Sequence, residues 1–306
     1  MTSLCHDYYQ TLLAQGFCIG IGVGLIFIPG VVILSTFFSS RLALANGIAA
    51  AGSGLGKGDH ISNHFPYVVW SSRVWWTVRA IGLVILVTLL IPLSVFKVRI
   101  TSSSKRKLID LPAFKEPAYA CFVMGGLLTF ISLNIPFFYI PSYAQQKGIP
   151  ADGMAFYLLS IITTGSVLGR IFPNLFANQV GPFNIILLCT SVCGALMFAL
   201  VNLSSLAGMV VVTLLYGFFS GALVSLPPNF FVRLSPDRSL IGTRMGMGYA
   251  VMIIGNLIGT PVAGTILQSR GFNLMWIFGR IMSIAGGLTM LVSRSIQGQW
   301  SLFARV

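Results

Sequence analysis

Charge is scarce in this sequence, and negative charge scarcest of all. Asp and Glu together number 6 in 306 residues, and charged residues of both signs make up 8%, where a water-soluble domain carries about 25%. A surface wetted on all sides cannot be covered with so little charge. The six acids (Asp7, Asp59, Asp110, Glu116, Asp152 and Asp237) are scattered along the chain, and none lies within an apolar run. That leaves no paired carboxylates for acid–base chemistry, and no Ser, His and Asp set gathers at nucleophilic spacing, so the sequence does not read as an enzyme. Cysteine is sparse too: Cys5, Cys18, Cys121, Cys189 and Cys193 include no CxxC pair, and the last four lie in apolar runs as small hydrophobes. No metal or cofactor site is expected. His60 and His64 stand four apart with only Asp59 beside them, too few ligands for a metal centre. A secretory signal is not seen either, because Met1–Gln10 is short and polar and the apolar run after it is too long for a signal core.

What fills the sequence instead is apolar: 56% of residues are hydrophobic and the mean hydropathy is +0.88. A bilayer core needs about 20 apolar residues per helix. On that criterion the chain reads as an all-α, polytopic membrane bundle of about nine spans, one of them degraded: Leu12–Phe38, a run from Leu42 that fades after Gly56, Val74–Phe96, Ala118–Tyr143, Gly153–Ala177, Phe183–Val201, Leu206–Phe231, Met245–Leu267 and Leu274–Ser293. The net charge of +13 does not call for nucleic acid, because the basic residues sit mainly between these runs, where they orient helices against the membrane. The expected surroundings are membrane lipid.

The longest charged linker, Lys97–Glu116, holds six basic residues and two acids. Short basic loops stay on the cytoplasmic side. With this loop inside, helix counting also puts Arg41, Arg233–Arg244, Arg294 and Arg305 inside, twelve of the 19 basic residues, against Lys57, Arg73, Lys147 and Arg270 outside. The C-terminus is then cytoplasmic. The expected division is 1–96, 97–116 as the basic loop, 117–294 as a six-helix bundle and 295–306 as a cytoplasmic tail.

Glycines recur four apart (Gly16, Gly20, Gly24; Gly52, Gly56; Gly165, Gly169; Gly217, Gly221; Gly242, Gly246; Gly255, Gly259), a spacing that lets helix backbones approach closely in lipid. Pro29, Pro136, Pro141, Pro173, Pro227, Pro228 and Pro261 lie in or near spans and mark breaks or kinks. Arg79, Arg170 and Arg280 fall within spans, where a cation is costly and faces a cavity, a partner or the interface. Arg170 reads either as a fork for a substrate carboxylate or as a side chain reaching out to lipid phosphates. Arg280 reads as cavity-lining or as snorkelling from the last helix. Asn134, Tyr139, Tyr216 and Asn256 are polar side chains in apolar runs, which bond to other helices or to substrate.

Several motifs carry a family resemblance. Gly20–Pro29, Phe38–Gly47 and Ala51–Gly56 resemble the fourth and fifth helices of the monocarboxylate porter branch of the major facilitator superfamily, most closely its fungal members. Tyr157–Ser160, Gly165-Ser166, Gly169-Arg170 and Gly181–Asn184 are similar to its eighth helix and following loop. Tyr216–Gly221, Leu226–Pro228, Ile241–Gly246 and Gly259–Pro261 are similar to helices ten and eleven. The resemblance implies twelve helices in two six-helix halves, of which this chain would lack the first three. Residues 1–96 would then be the remnant of the N-terminal bundle (helices four to six), and 97–116 the central loop. It implies a secondary active transporter of a small organic anion or related metabolite, working by alternating access in the plasma membrane. The alternative is a truncated, non-transporting membrane protein or nutrient sensor derived from such a transporter. The implied substrate-binding residues are Arg170 and Ser166, with Asn134, Tyr139, Tyr216 and Asn256 as further candidates.

Two departures accompany the resemblance. Ser166 stands one turn before Arg170, where the animal porters carry a proton-coupling aspartate, and serine does not titrate near neutral pH. Asn178-Gln179 replace the family's usual acid–base pair. In addition, Lys57–Arg73 interrupts what would be the fifth helix with polar residues.

Overall fold

The computed structural model describes residues 7–38, 41–55, 74–95, 109–148, 154–203 and 205–298. Every regular element among them is helical. The interrupted stretch Lys57–Arg73, with the His60/His64 pair, and most of the basic linker lie outside the described residues. Six helices are long and apolar enough to cross a membrane, and two shorter apolar helices accompany them.

The chain divides into two compact units. The first contains a helical turn at Tyr8–Thr11, a π-helical stretch Leu12–Cys18 running into α1 (Ile19–Phe37), and α3 (Val74–Val95). Apart from Arg79 in the second turn of α3, both α1 and α3 are apolar around their circumference. Large side chains such as Leu25, Leu83 and Leu93 remain more than 60% exposed, as befits helices whose surroundings are lipid.

The second unit holds α2 (Leu42–Leu55), α4 (Pro117–Leu133), α5 (Ile135–Gln146), α6 (Met154–Val180), α7 (Pro182–Asn202), α8 (Leu206–Ser225), α9 (Pro227–Leu234) and α10 (Ile241–Gln297). Prolines set several of the boundaries. The run read as one span over Ala118–Tyr143 breaks at Asn134, because Pro136 has no N–H to give back to the Ser132 carbonyl and fits instead in the first turn of α5. Pro227 and Pro228 likewise end α8 and begin α9. The last two expected spans join directly at Gly271, whose φ of 81° and ψ of 178° turn the backbone without a loop. That region is open to glycine almost alone.

Close backbone contact holds the helices together. The α-carbons of Gly165, Gly169, Gly217 and Gly221 form a seam between α6 and α8. A Cβ on Gly169 would fall on the Phe218 carbonyl, and one on Gly221 on the Ser166 carbonyl. Gly255 and Gly259 pack against the Leu127 and Ile131 carbonyls of α4 in the same way. By contrast, nothing among the described residues lies within 4 Å of a Cβ placed on Gly20 or Gly24. In α2, Gly47 and Gly54 make the close approach, whereas Gly52 faces open space.

Candidate functional site

Helix α2 is built for close approach. Ala43, Asn46, Gly47, Ala51 and Gly54 recur at three- and four-residue spacing and form its buried face. That face lies on α6: a Cβ on Gly47 would meet the Asn174 side chain at 3.0 Å, and one on Gly54 would meet Val167 at 2.6 Å. Small side chains here let two backbones come near enough for polar groups to reach across.

Arg170 reaches across. It is 3% exposed, and its Nη1 donates to the Ala50 carbonyl at 2.6 Å and to Ser53 Oγ at 2.5 Å, both on α2. Its Nε is buried without a hydrogen-bond partner. The two ion pairs found among the described residues both belong to Arg244. Arg170 is thus a buried cation held through Nη1 by neutral acceptors, with its buried Nε unbonded and no carboxylate among the described residues within ion-pair distance. A carboxylate or other planar anion would supply both an acceptor for Nε and a negative charge.

One turn further along α6, a chain of amides continues the contact. Asn174 Nδ2 donates to the Arg170 carbonyl at 2.7 Å and to Ser225 Oγ at 2.8 Å. Asn229 Nδ2 faces Asn174 Oδ1 at 3.5 Å. Asn46 Nδ2 donates to Asn229 Oδ1 at 2.9 Å. All three amides are at least 95% buried, and the chain links α2, α6, α8 and α9. Asn46, Asn174 and Asn229 were not among the residues singled out from sequence. Their only signal was an amide inside an apolar run.

The other sequence candidates occupy different seams. Asn134 Nδ2 donates to Asn256 Oδ1 at 2.6 Å, and Tyr139 Oη to the Thr260 carbonyl at 3.0 Å, both tying the α4–α5 region to α10. Tyr216 Oη donates to the Leu133 carbonyl at 2.9 Å and so ties α8 to the end of α4. Ser166 is buried on the α6–α8 seam. Arg170 and Ser166 therefore share α6, and no hydrogen bond found here joins them to the other four.

A separate charge cluster marks the start of α10. Arg244 Nε pairs with Asp110 Oδ2 at 2.9 Å, while its two Nη atoms grip Glu116 at 2.8 and 2.5 Å. Nη1 also donates to the Leu234 carbonyl at 2.8 Å. Tyr119 Oη donates to the Arg244 carbonyl at 2.7 Å, and its ring faces the guanidinium at 5.8 Å. The sequence had marked Arg244 only as one of several basic residues near a membrane boundary. Among the described residues no three His, Cys, Asp or Glu side chains converge as metal ligands.

Apolar helices packed through glycine seams, with buried arginines and neutral amide bridges between them, define an integral membrane helix bundle. The sequence profile of the Major Facilitator Superfamily matches residues 1–239, and the chain belongs to that superfamily. It is 40% identical over 296 residues to the MFS-type transporter dbaD of Emericella nidulans, an alignment covering 96% of this chain and 66% of that protein. The aspyridones efflux protein apdF of the same fungus is 32% identical over 298 residues (97% and 61%). The agnestins efflux protein AgnL12 of Paecilomyces divaricatus is 30% identical over 301 residues (96% and 67%). The chain thus spans 61–67% of the length of these relatives.

Proposed function

We propose that this chain serves secondary transport, moving a small organic metabolite with an acidic group outward across the plasma membrane by alternating access. One observation carries the reading: Arg170 is a buried cation whose partners on α2 are both neutral and whose Nε has none. Desolvating a guanidinium without a counter-charge is costly, and an anionic substrate would offset that cost when bound. The monocarboxylate-porter likeness of Gly169-Arg170 supports an anion at this place. The outward direction draws on relatives named for the efflux of aspyridones and of agnestins.

In this reading residues 1–96 belong to an N-terminal half-bundle corresponding to the family's helices four to six, 97–116 form the cytoplasmic central loop, and 117–294 form the C-terminal half. Ser166 holds the place of the coupling aspartate but carries no titrating group, so proton coupling would not run through a 166–170 pair. Asn134, Tyr139, Tyr216 and Asn256 act first as helix-to-helix bonds and border the substrate path.

The test is export of labelled aromatic and heterocyclic acids from cells expressing the full chain. Arg170→Gln is expected to lower export by about tenfold, the worth of one charge-assisted hydrogen bond, at unchanged membrane abundance, while Arg170→Lys keeps part of it. Equal export by the wild-type chain and Arg170→Gln removes the assigned role. No export by the wild-type chain of any acid tried favours the non-transporting alternative.

A further inference from the structure

Away from the Arg170 contact, a groove of about 450 Å³ runs between α7 and the part of α10 beyond Gly271. Leu187, Phe198, Ile284, Leu288 and Leu291 line it, with Arg280 among them. The guanidinium of Arg280 lies over the Phe198 ring at 4.5 Å. The two hydroxyls in the groove are already committed, Ser191 Oγ to the Leu187 carbonyl and Ser283 Oγ to the Thr190 carbonyl. Among the described residues no carboxylate comes within ion-pair distance of Arg280.

The order of residues along the groove is informative. Arg280 stands nine residues past Gly271, and Ile284, Leu288 and Leu291 follow it on the same face. From Arg280 to Leu291 the helical rise spans about 16 Å, roughly half of a bilayer core about 30 Å thick. Phe198, Ile284, Leu288 and Leu291 are each 41–58% exposed, so the groove opens toward the bilayer. A cation at one end and an aliphatic trough of one-leaflet length behind it match a phosphate head with its acyl chain.

We propose that this groove is a phospholipid site, with the lipid phosphate on the Arg280 guanidinium and an acyl chain along Ile284, Leu288 and Leu291. The planar fork of Arg280 can take two phosphate oxygens at once, and Phe198 holds the fork toward the groove mouth through its ring face. The bound phosphate supplies the counter-charge that no described residue provides. The site is independent of the transport reading.

Native mass spectrometry of the purified full chain in detergent with phosphatidylglycerol tests this. The wild-type chain should retain lipid, Arg280→Gln should retain about tenfold less, and Arg280→Lys an intermediate amount. Leu288→Trp, which fills the trough and leaves Arg280 in place, should also lose lipid. Diacylglycerol of the same chain length should not be retained. Equal retention by wild type and Arg280→Gln, retention of diacylglycerol as strong as that of phosphatidylglycerol, or displacement by millimolar inorganic phosphate would each overturn the proposal. Unfolding temperatures matched to wild type show that a variant which loses lipid is still folded.

Discussion

A buried arginine with only neutral partners and a buried arginine between two acids put different demands on the same side chain, and both occur in this bundle. Arg244 is the structural case. Its Asp110 partner has a side chain only 10% exposed, while that of Glu116 is 47% exposed. Arg244→Gln leaves Asp110 buried and unpaired, which should destabilise the purified protein by about 3 kcal/mol. Glu116→Gln should cost less than about 1 kcal/mol, since the lost pair faces solvent. Thermal unfolding in detergent separates the two. The amide chain makes a subtler prediction. In lipid-embedded bundles an interhelical hydrogen bond contributes about 0.6 kcal/mol on average, so Asn46→Ala and Asn229→Ala should each lower stability modestly. Because the two share one bond, a double-mutant cycle should return a coupling of about that size. Near-perfect additivity would show that the two amides act separately. Arg170 was visible in the sequence because a cation in an apolar run has few explanations. Asn46 and Asn229 were not, because their partnership spans 183 positions and an isolated amide carries no information about distance.

At the level of helices, the glycine spacing was legible but its use was not. The same four-residue repeat occurs in α1, where Gly20 and Gly24 meet nothing among the described residues, and in α6, where Gly165 and Gly169 lie against the backbone of α8. Spacing shows that close approach is permitted; only a facing helix makes it necessary. Gly169→Ala should therefore force α6 and α8 apart and destabilise by about 1–3 kcal/mol, the range for overpacking. Gly20→Ala should be neutral or mildly stabilising, since alanine is the better helix former. Parallel melting curves decide between them. Proline told more from sequence alone: Pro227-Pro228 lie where α8 gives way to α9. The break at Asn134 was harder to see, because the residues on both sides are equally apolar and only Pro136 marks it. At Gly271 the arrangement was the reverse. A polar interval separates the expected spans Met245–Leu267 and Leu274–Ser293, and a single glycine conformation makes the turn between them. Gly271→Ala and Gly271→Asn should both lower stability by about 1–3 kcal/mol, since even asparagine gains no relief in that backbone region.

Across the whole molecule, the distribution of charge along the chain carries information that helix packing does not. Helix counting along the sequence would put twelve basic residues on the side of the Lys97–Glu116 linker and four on the other. Short loops rich in Lys and Arg are retained in the cytoplasm during insertion, and acids weigh little in that decision, so the sparse acids of this chain leave the bias intact. Local geometry agrees on which segments share an end: Arg244 ties Asp110 and Glu116, at the end of the linker, to the start of α10, and Arg294 Nε bonds Asn184 near the start of α7 at 2.5 Å. Lys147 and Arg270 meet in a polar pocket with Gly271 and Asn273, which puts two of the four minority cations together at one end. The expected result is therefore specific. In intact cells a cysteine placed by Lys147→Cys should react with a membrane-impermeant maleimide, and a protease tag after Val306 should be cut only once the membrane is permeabilised. If the tag is cut in intact cells while the cysteine at position 147 stays protected, the orientation is reversed. The linker would then face outward, and the outward direction of transport proposed above would have to be re-derived from the opposite end of the Arg170 contact.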